Sequence, residues 1–238
     1  MTRYTEKIFQ EAVITPDVIY ATAPGYDEQH TETPLGMDIY APAGDTEKNR
    51  RAIIFVHGGG FRHCDKRQGY IVTLCQLMAQ YGYVCFSLDY RLYPEDRVPP
   101  RDDAARCTAR DAEAARVFIQ AHAEEYGIDP DKLAIAGGSA GGMATLEACK
   151  IYPRYFAYIN FWGAYLDAQP ADAYPPTLVI HGTADKLVPF AQGEAFFARL
   201  QEKNIPSRMV MLKDAPHTAI QWLPEYEDII VSFLNEHA

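Results

Sequence analysis

Short apolar runs rich in β-branched and aromatic residues alternate along the chain with longer segments whose apolar positions recur every three or four residues. The runs predict eight strands: Ala12 to Ala21, Leu35 to Tyr40, Ala52 to Val56, Tyr83 to Leu88, Leu133 to Ala136, Ala157 to Phe161, Thr177 to Ile180 and Ser207 to Leu212. Between them, Tyr70, Leu74, Leu77, Met78 and Tyr81 lie at helical spacing before Gly82. An Ala-rich helix is expected from about Asp102 to Tyr126, closed by Gly127, and another from Ala140 to Tyr152, stopped by Pro153. Phe196, Phe197 and Leu200 mark a further helix, and Tyr226, Ile229, Ile230 and Phe233 the last.

Strands that alternate with helices imply an α/β fold, a mostly parallel sheet covered on both faces. The first two strands are joined by Thr22 to Pro34, a Pro-, Gly-, Asp- and Thr-rich stretch without a helix, and are expected as an antiparallel edge pair. A chain of 238 residues without a Pro/Ser-rich linker reads as one domain, 1–238, with 1–34 as an N-terminal segment and edge strand. The residues up to about Gln10 are free in this reading to fold over a site as a partial cover.

A net charge of −10 without a basic stripe argues against nucleic acid and anionic membranes as partners. The first residues lack an apolar signal-peptide core and no run approaches membrane-spanning length, so the chain reads as cytoplasmic. Five cysteines, Cys64, Cys75, Cys85, Cys107 and Cys149, show no C-x-x-C spacing and fit reduced thiols. The seven histidines are scattered, with no metal-ligand spacing, and neither a metal nor an organic cofactor is expected.

Open sheets of this kind bind ligands beyond the carboxyl ends of their strands, and the candidate chemistry lies there. Gly137-Gly138-Ser139-Ala140-Gly141-Gly142 joins a strand to a helix, the context of a nucleophile elbow, although a Gly-rich turn cradling a phosphate has the same local appearance. His57-Gly58-Gly59-Gly60-Phe61 follows another strand and supplies unobstructed backbone N–H groups for an oxyanion, with Ala140 as the other donor. Serine needs a base, and the base needs an orienting carboxylate. Asp185, in His181-Gly182-Thr183-Ala184-Asp185, and His217, after Asp214-Ala215-Pro216, each follow a strand end in the chain order Ser139, Asp185, His217. Asp167 and Asp214 are rival acids, while His57 and His181 read as structural.

These motifs, with Asp89-Tyr90-Arg91-Leu92, resemble the α/β-hydrolases of the carboxylesterase/lipase superfamily, close to hormone-sensitive-lipase-like esterases and small bacterial acetyl or feruloyl esterases, from about Leu35 to the C-terminus. The resemblance implies a triad of Ser139, Asp185 and His217, oxyanion donors in Gly58, Gly59, Gly60 and Ala140, and Arg91 in a structural hydrogen-bond network. Two departures stand out: Gly138 replaces the Asp or Glu that such esterases often carry, and the cap is small. Fifteen residues separate Phe161 from Thr177, too few for a helical lid, which favours short acyl groups such as acetyl. Arg62, His63, Cys64 and Asp65, with the stretch Tyr93 to Arg97, are expected to wall the site.

The expected partner is a small-molecule ester, of a sugar or an aromatic acid for example, cleaved through an acyl-enzyme; a homo-oligomer is compatible with the chain. An amidase, formamidase or small peptidase using the same triad, and a non-catalytic binding module on a hydrolase fold, are the alternatives.

Overall fold

A computed structural model describes residues 2–26, 29–94, 96–98, 100–163 and 173–238. Its eight strands are β1 (Ala12–Pro24), β2 (Glu32–Pro42), β3 (Arg50–Val56), β4 (Val84–Leu88), β5 (Ile128–Gly138), β6 (Tyr158–Phe161), β7 (Thr177–Gly182) and β8 (Ser207–Leu212). They form one sheet in the order β1-β2-β4-β3-β5-β6-β7-β8. β1 pairs antiparallel with β2 and β2 antiparallel with β4, while every pairing from β4 to β8 is parallel. The expected antiparallel edge and parallel remainder are therefore both present.

The helices are α1 (Gly69–Gln80), α2 (Arg101–Ala121), α3 (Ala123–Tyr126), α4 (Ala140–Ile151), α5 (Phe190–Glu202) and α6 (Leu223–His237). The period of two in the strands divides the interior into two cores. Ile54, Val56, Phe86 and Ile135 point toward α2, α4 and α5, whereas Ile53, Phe55, Cys85 and Ala136 point toward α1 and α6. The long Ala-rich helix expected up to Tyr126 breaks at His122, whose φ of −107° leaves the helical region, and the last turn closes on Gly127 at φ +59°.

Residues 3–9 do not cover the carboxyl ends of the strands, which corrects the expected partial cover. Tyr4 N–H donates to Tyr81 O, and the N–H groups of Ile8 and Phe9 donate to Gln80 O at the C-terminal end of α1. Arg3 pairs with Asp45 at 2.8 Å, and Arg51, near the start of β3, stacks on the Tyr4 ring at 4.3 Å. These bonds hold the segment at the amino ends of the parallel strands, opposite the motif-bearing loops.

Candidate active site

The elbow is built by exclusion of side chains. Ser139 sits at φ 55°, ψ −120°, a sparsely populated region that costs about 1–3 kcal/mol and persists only where its surroundings impose it. Its N–H donates to Phe161 O at 3.0 Å, and its carbonyl accepts from Met143 N–H at 3.1 Å in the first turn of α4. A Cβ on Gly137 would lie 2.4 Å from Gly141 O, and one on Gly141 would lie 2.1 Å from Val56 O. Contacts that short are forbidden, so β3, β5 and α4 meet at this point only because glycine occupies both positions.

Gly138 has a different neighbour. A Cβ there would lie 2.4 Å from the Tyr70 hydroxyl, so the first turn of α1 fills the space that an acidic side chain would take. Tyr70 is buried with its ring edge-on to Trp162 at 5.5 Å, and burial pushes its hydroxyl pKa well up, keeping it protonated.

The Gly-rich loop is fixed at both sides of one residue, Gly58. Gly58 N–H donates to Gln68 Oε1 at 2.9 Å, and Gly58 O accepts from the Tyr90 hydroxyl at 3.0 Å. His57 Nδ1 lies 2.7 Å from the same carbonyl, which cannot donate, so Nδ1 carries the proton. His57 is thereby a brace, stacked on Tyr90 at 4.2 Å, and burial lowers its pKa to about 4. With its N–H bound to Gln68, Gly58 is removed from the four expected oxyanion donors. Gly59, Gly60 and Ala140 keep N–H groups with no recorded partner among the described residues. Gly59 has φ +100°, and a Cβ on it would lie 2.0 Å from His63 O, so only glycine permits this turn.

From β7 and β8 come the other two residues. His217 Nε2 stands 3.0 Å from Ser139 Oγ, and His217 Nδ1 stands 2.7 Å from Asp185 Oδ2. Asp185 is buried, and its Oδ1 accepts the N–H groups of Leu187 and Val188, each at 2.9 Å. Gly182 lets the two loops touch, since a Cβ there would lie 2.2 Å from Ala215 O. The structure thus brings Ser139, Asp185 and His217 into one hydrogen-bonded chain. Asp214 is exposed, with its N–H bonded to Thr183 Oγ1, and Asp167 lies outside the described residues.

Above this chain opens a cleft of ≈430 Å³ lined by Gly58 to His63, Gln68, Tyr70, Arg101, Ser139, Ala140, Met143, Trp162, Leu187, Val188, His217 and Thr218. Of the expected walls, Arg62 and His63 line it; Cys64, Asp65 and the described part of Tyr93 to Arg97 do not. Arg91 instead forks onto buried Asp111 at 2.6 Å, as expected of a structural network. Sequence reading missed Gln68, Tyr70 and Trp162. Trp162 alone carried a signal, because it directly follows a strand end. Among the described residues no cluster of His, Cys, Asp and Glu is arranged to hold a metal, and no helix is long and apolar enough to cross a membrane.

The fold recurs in known proteins. The BD-FAE family profile matches residues 37–154 and that of the prolyl oligopeptidase family matches 160–238. Thermogutta terrifontis esterase 2, in a structure phosphorylated by paraoxon, superposes with a TM-score of 0.72 at 25% identity, covering 100% of this chain and 99% of that one. The chain belongs to the α/β-hydrolase superfamily. Within it, the chain is 28% identical to the probable carboxylic ester hydrolase LipM of Mycobacterium tuberculosis, over 70% of this chain and 48% of that protein. Esterase LipC of the same organism is 29% identical, over 69% of this chain and 52% of its own length. This α/β-hydrolase chain therefore spans about half the length of those two curated relatives.

Proposed function

We propose that the protein is a serine carboxylic ester hydrolase acting on short acyl esters through an acyl-enzyme. The observation that carries this reading is the Ser139 Oγ to His217 Nε2 contact of 3.0 Å continued by the 2.7 Å contact of His217 Nδ1 with Asp185. In this reading Ser139 Oγ attacks the ester carbonyl while His217 Nε2 takes its proton, and Asp185 stabilises the imidazolium. Negative charge on the former carbonyl oxygen is met by the N–H groups of Gly59, Gly60 and Ala140. Collapse of the tetrahedral species breaks the bond to the alcohol oxygen, which receives the proton from His217. Water, deprotonated by His217, then attacks the acyl-serine; the acid leaves and Ser139 regains its proton.

The relatives named as ester hydrolases support the class of bond. The short connection between Phe161 and Thr177 supports small acyl groups, acetyl-like and of sugar or aromatic esters. A second reading, amide hydrolysis, is favoured by the prolyl oligopeptidase family match over 160–238, the half that bears the acid and the base. A series of p-nitrophenyl esters from acetate to decanoate, run beside aryl formamides and aminoacyl anilides, separates the two. Turnover should be fastest on acetate and butyrate, and a fluorophosphonate should label wild type but not Ser139→Ala. Equal turnover by Ser139→Ala refutes the reading.

A further inference from the structure

A second histidine stands behind the triad acid. His181, at the end of β7, has no exposed surface, and its Nε2 lies 2.9 Å from Val188 O and 3.2 Å from Asp185 Oδ2. A carbonyl accepts only, so Nε2 carries a hydrogen, directed at Val188 O with the carboxylate beside it. Its other nitrogen, Nδ1, is buried without a partner among the described residues. Gly193 of α5 passes close enough that a Cβ on it would lie 2.6 Å from Nδ1, and the Phe190 ring stands edge-on at 5.8 Å. Such surroundings keep the ring neutral, and burial lowers its pKa. The titratable groups that act on it are Asp185 and His217.

The turn from Asp185 to Val188 is consequently closed at two points. Val188 N–H donates to Asp185 Oδ1, and Val188 O accepts from His181. Asp185 Oδ2 faces both His217 Nδ1, at 2.7 Å, and His181 Nε2. We propose that His181 is a positioning residue that holds the Asp185 turn and, by sharing Oδ2, tempers how strongly the carboxylate favours the protonated form of His217. The inference rests on the hydrolase reading given above.

Losing a donor beside Oδ2 leaves more negative charge for His217, so protonation of His217 is favoured and activity at acid pH falls. In His181→Met, which lacks a donor, and in His181→Asn, whose amide is drawn back from Val188, kcat should fall by about tenfold. The acid limb of the kcat/KM profile should move up by about half a pH unit. His181→Gln, which extends an N–H toward the position of Nε2, should restore both to within about threefold of wild type. The low-field proton resonance of His217 Nδ1–H, read by NMR without substrate, should move in Met and Asn and return in Gln. An acid limb and a resonance that stay at wild-type positions in soluble Met or Asn variants, with only the melting temperature lowered, overturn the proposal. Wild-type protein that cleaves no ester or amide refutes the hydrolase reading instead, and the resonance still tests His181.

Discussion

The two sides of the site hold their atoms in place by opposite means. On the elbow side, Gly137, Gly141 and Gly59 hold the backbone by lacking side chains, with Cβ positions 2.4, 2.1 and 2.0 Å from neighbouring carbonyl oxygens. On the acid-base side, Asp185 is held by what its side chain binds: two backbone N–H groups on one oxygen and His217 on the other. Steric fixing is sensitive to one added methyl and indifferent to charge. Polar fixing tolerates changes of volume poorly predicted from contact distance, but it fails when a donor becomes an acceptor.

The sharpest test of the steric side is Gly141→Ala. With Val56 O 2.1 Å from the new Cβ, β3 and α4 must separate, and we expect a loss of at least about 4 kcal/mol, seen as insoluble or unfolded protein by circular dichroism. A soluble Gly141→Ala protein with a native melting temperature would show that the junction yields. The polar side should behave differently in Asp185→Asn, which keeps volume and fold. Its amide would donate where the carboxylate accepts, turning His217 to the tautomer that cannot take the Ser139 proton. Melting should change little, while kcat falls by about 10³- to 10⁴-fold.

Acidification probes a third anchor, His57, which belongs to the steric side yet is held by a polar bond. Its pKa is lowered to about 4 by burial, against 6.5 when unfolded. The unfolded chain therefore binds a proton between these values that the folded chain does not. The contribution is whole above pH 6.5 and is lost as pH falls toward 4, up to about 3 kcal/mol. Thermal melts from pH 7 to pH 4 should show this decline, and His57→Gln should flatten it. The smallest effect is expected at Gln68, whose carbonyl holds Gly58 N–H at 2.9 Å. Gln68→Ala should lower kcat by about tenfold with KM little changed, because it loosens donors that act on the transition state. A fall confined to KM would place Gln68 in ground-state binding.

The regular parts were legible because they follow from local rules. Continuous apolar runs such as Ala52 to Val56 read as strands buried on both faces, and Pro153 must end a helix. The helix break at His122 was not legible, since Ala121-His122-Ala123 carries no breaker and the kink serves the closure at Gly127. The place of residues 3–9 was equally hidden. Arg3 finds Asp45 and Tyr4 finds Arg51, both far along the chain, through pairings that no local pattern announces. Asp185 could be ranked above Asp214 from the order of strands alone, but its burial and its contact with His217 come from the approach of β7 and β8.

By itself, the sequence determined the alternation of strand and helix, the antiparallel edge and the set of loops in which chemistry could lie, because periodicity and glycine placement act within a few residues. Tertiary structure decided which donors are free. Gly58 reads like its two neighbours in sequence, yet Gln68 takes its N–H and Tyr90 and His57 its carbonyl. His181 reads as a spare histidine, yet the fold sets it against the same carboxylate oxygen as His217. Hydrogen bonds between distant residues depend on distances and angles that only the packed sheet and its helices set.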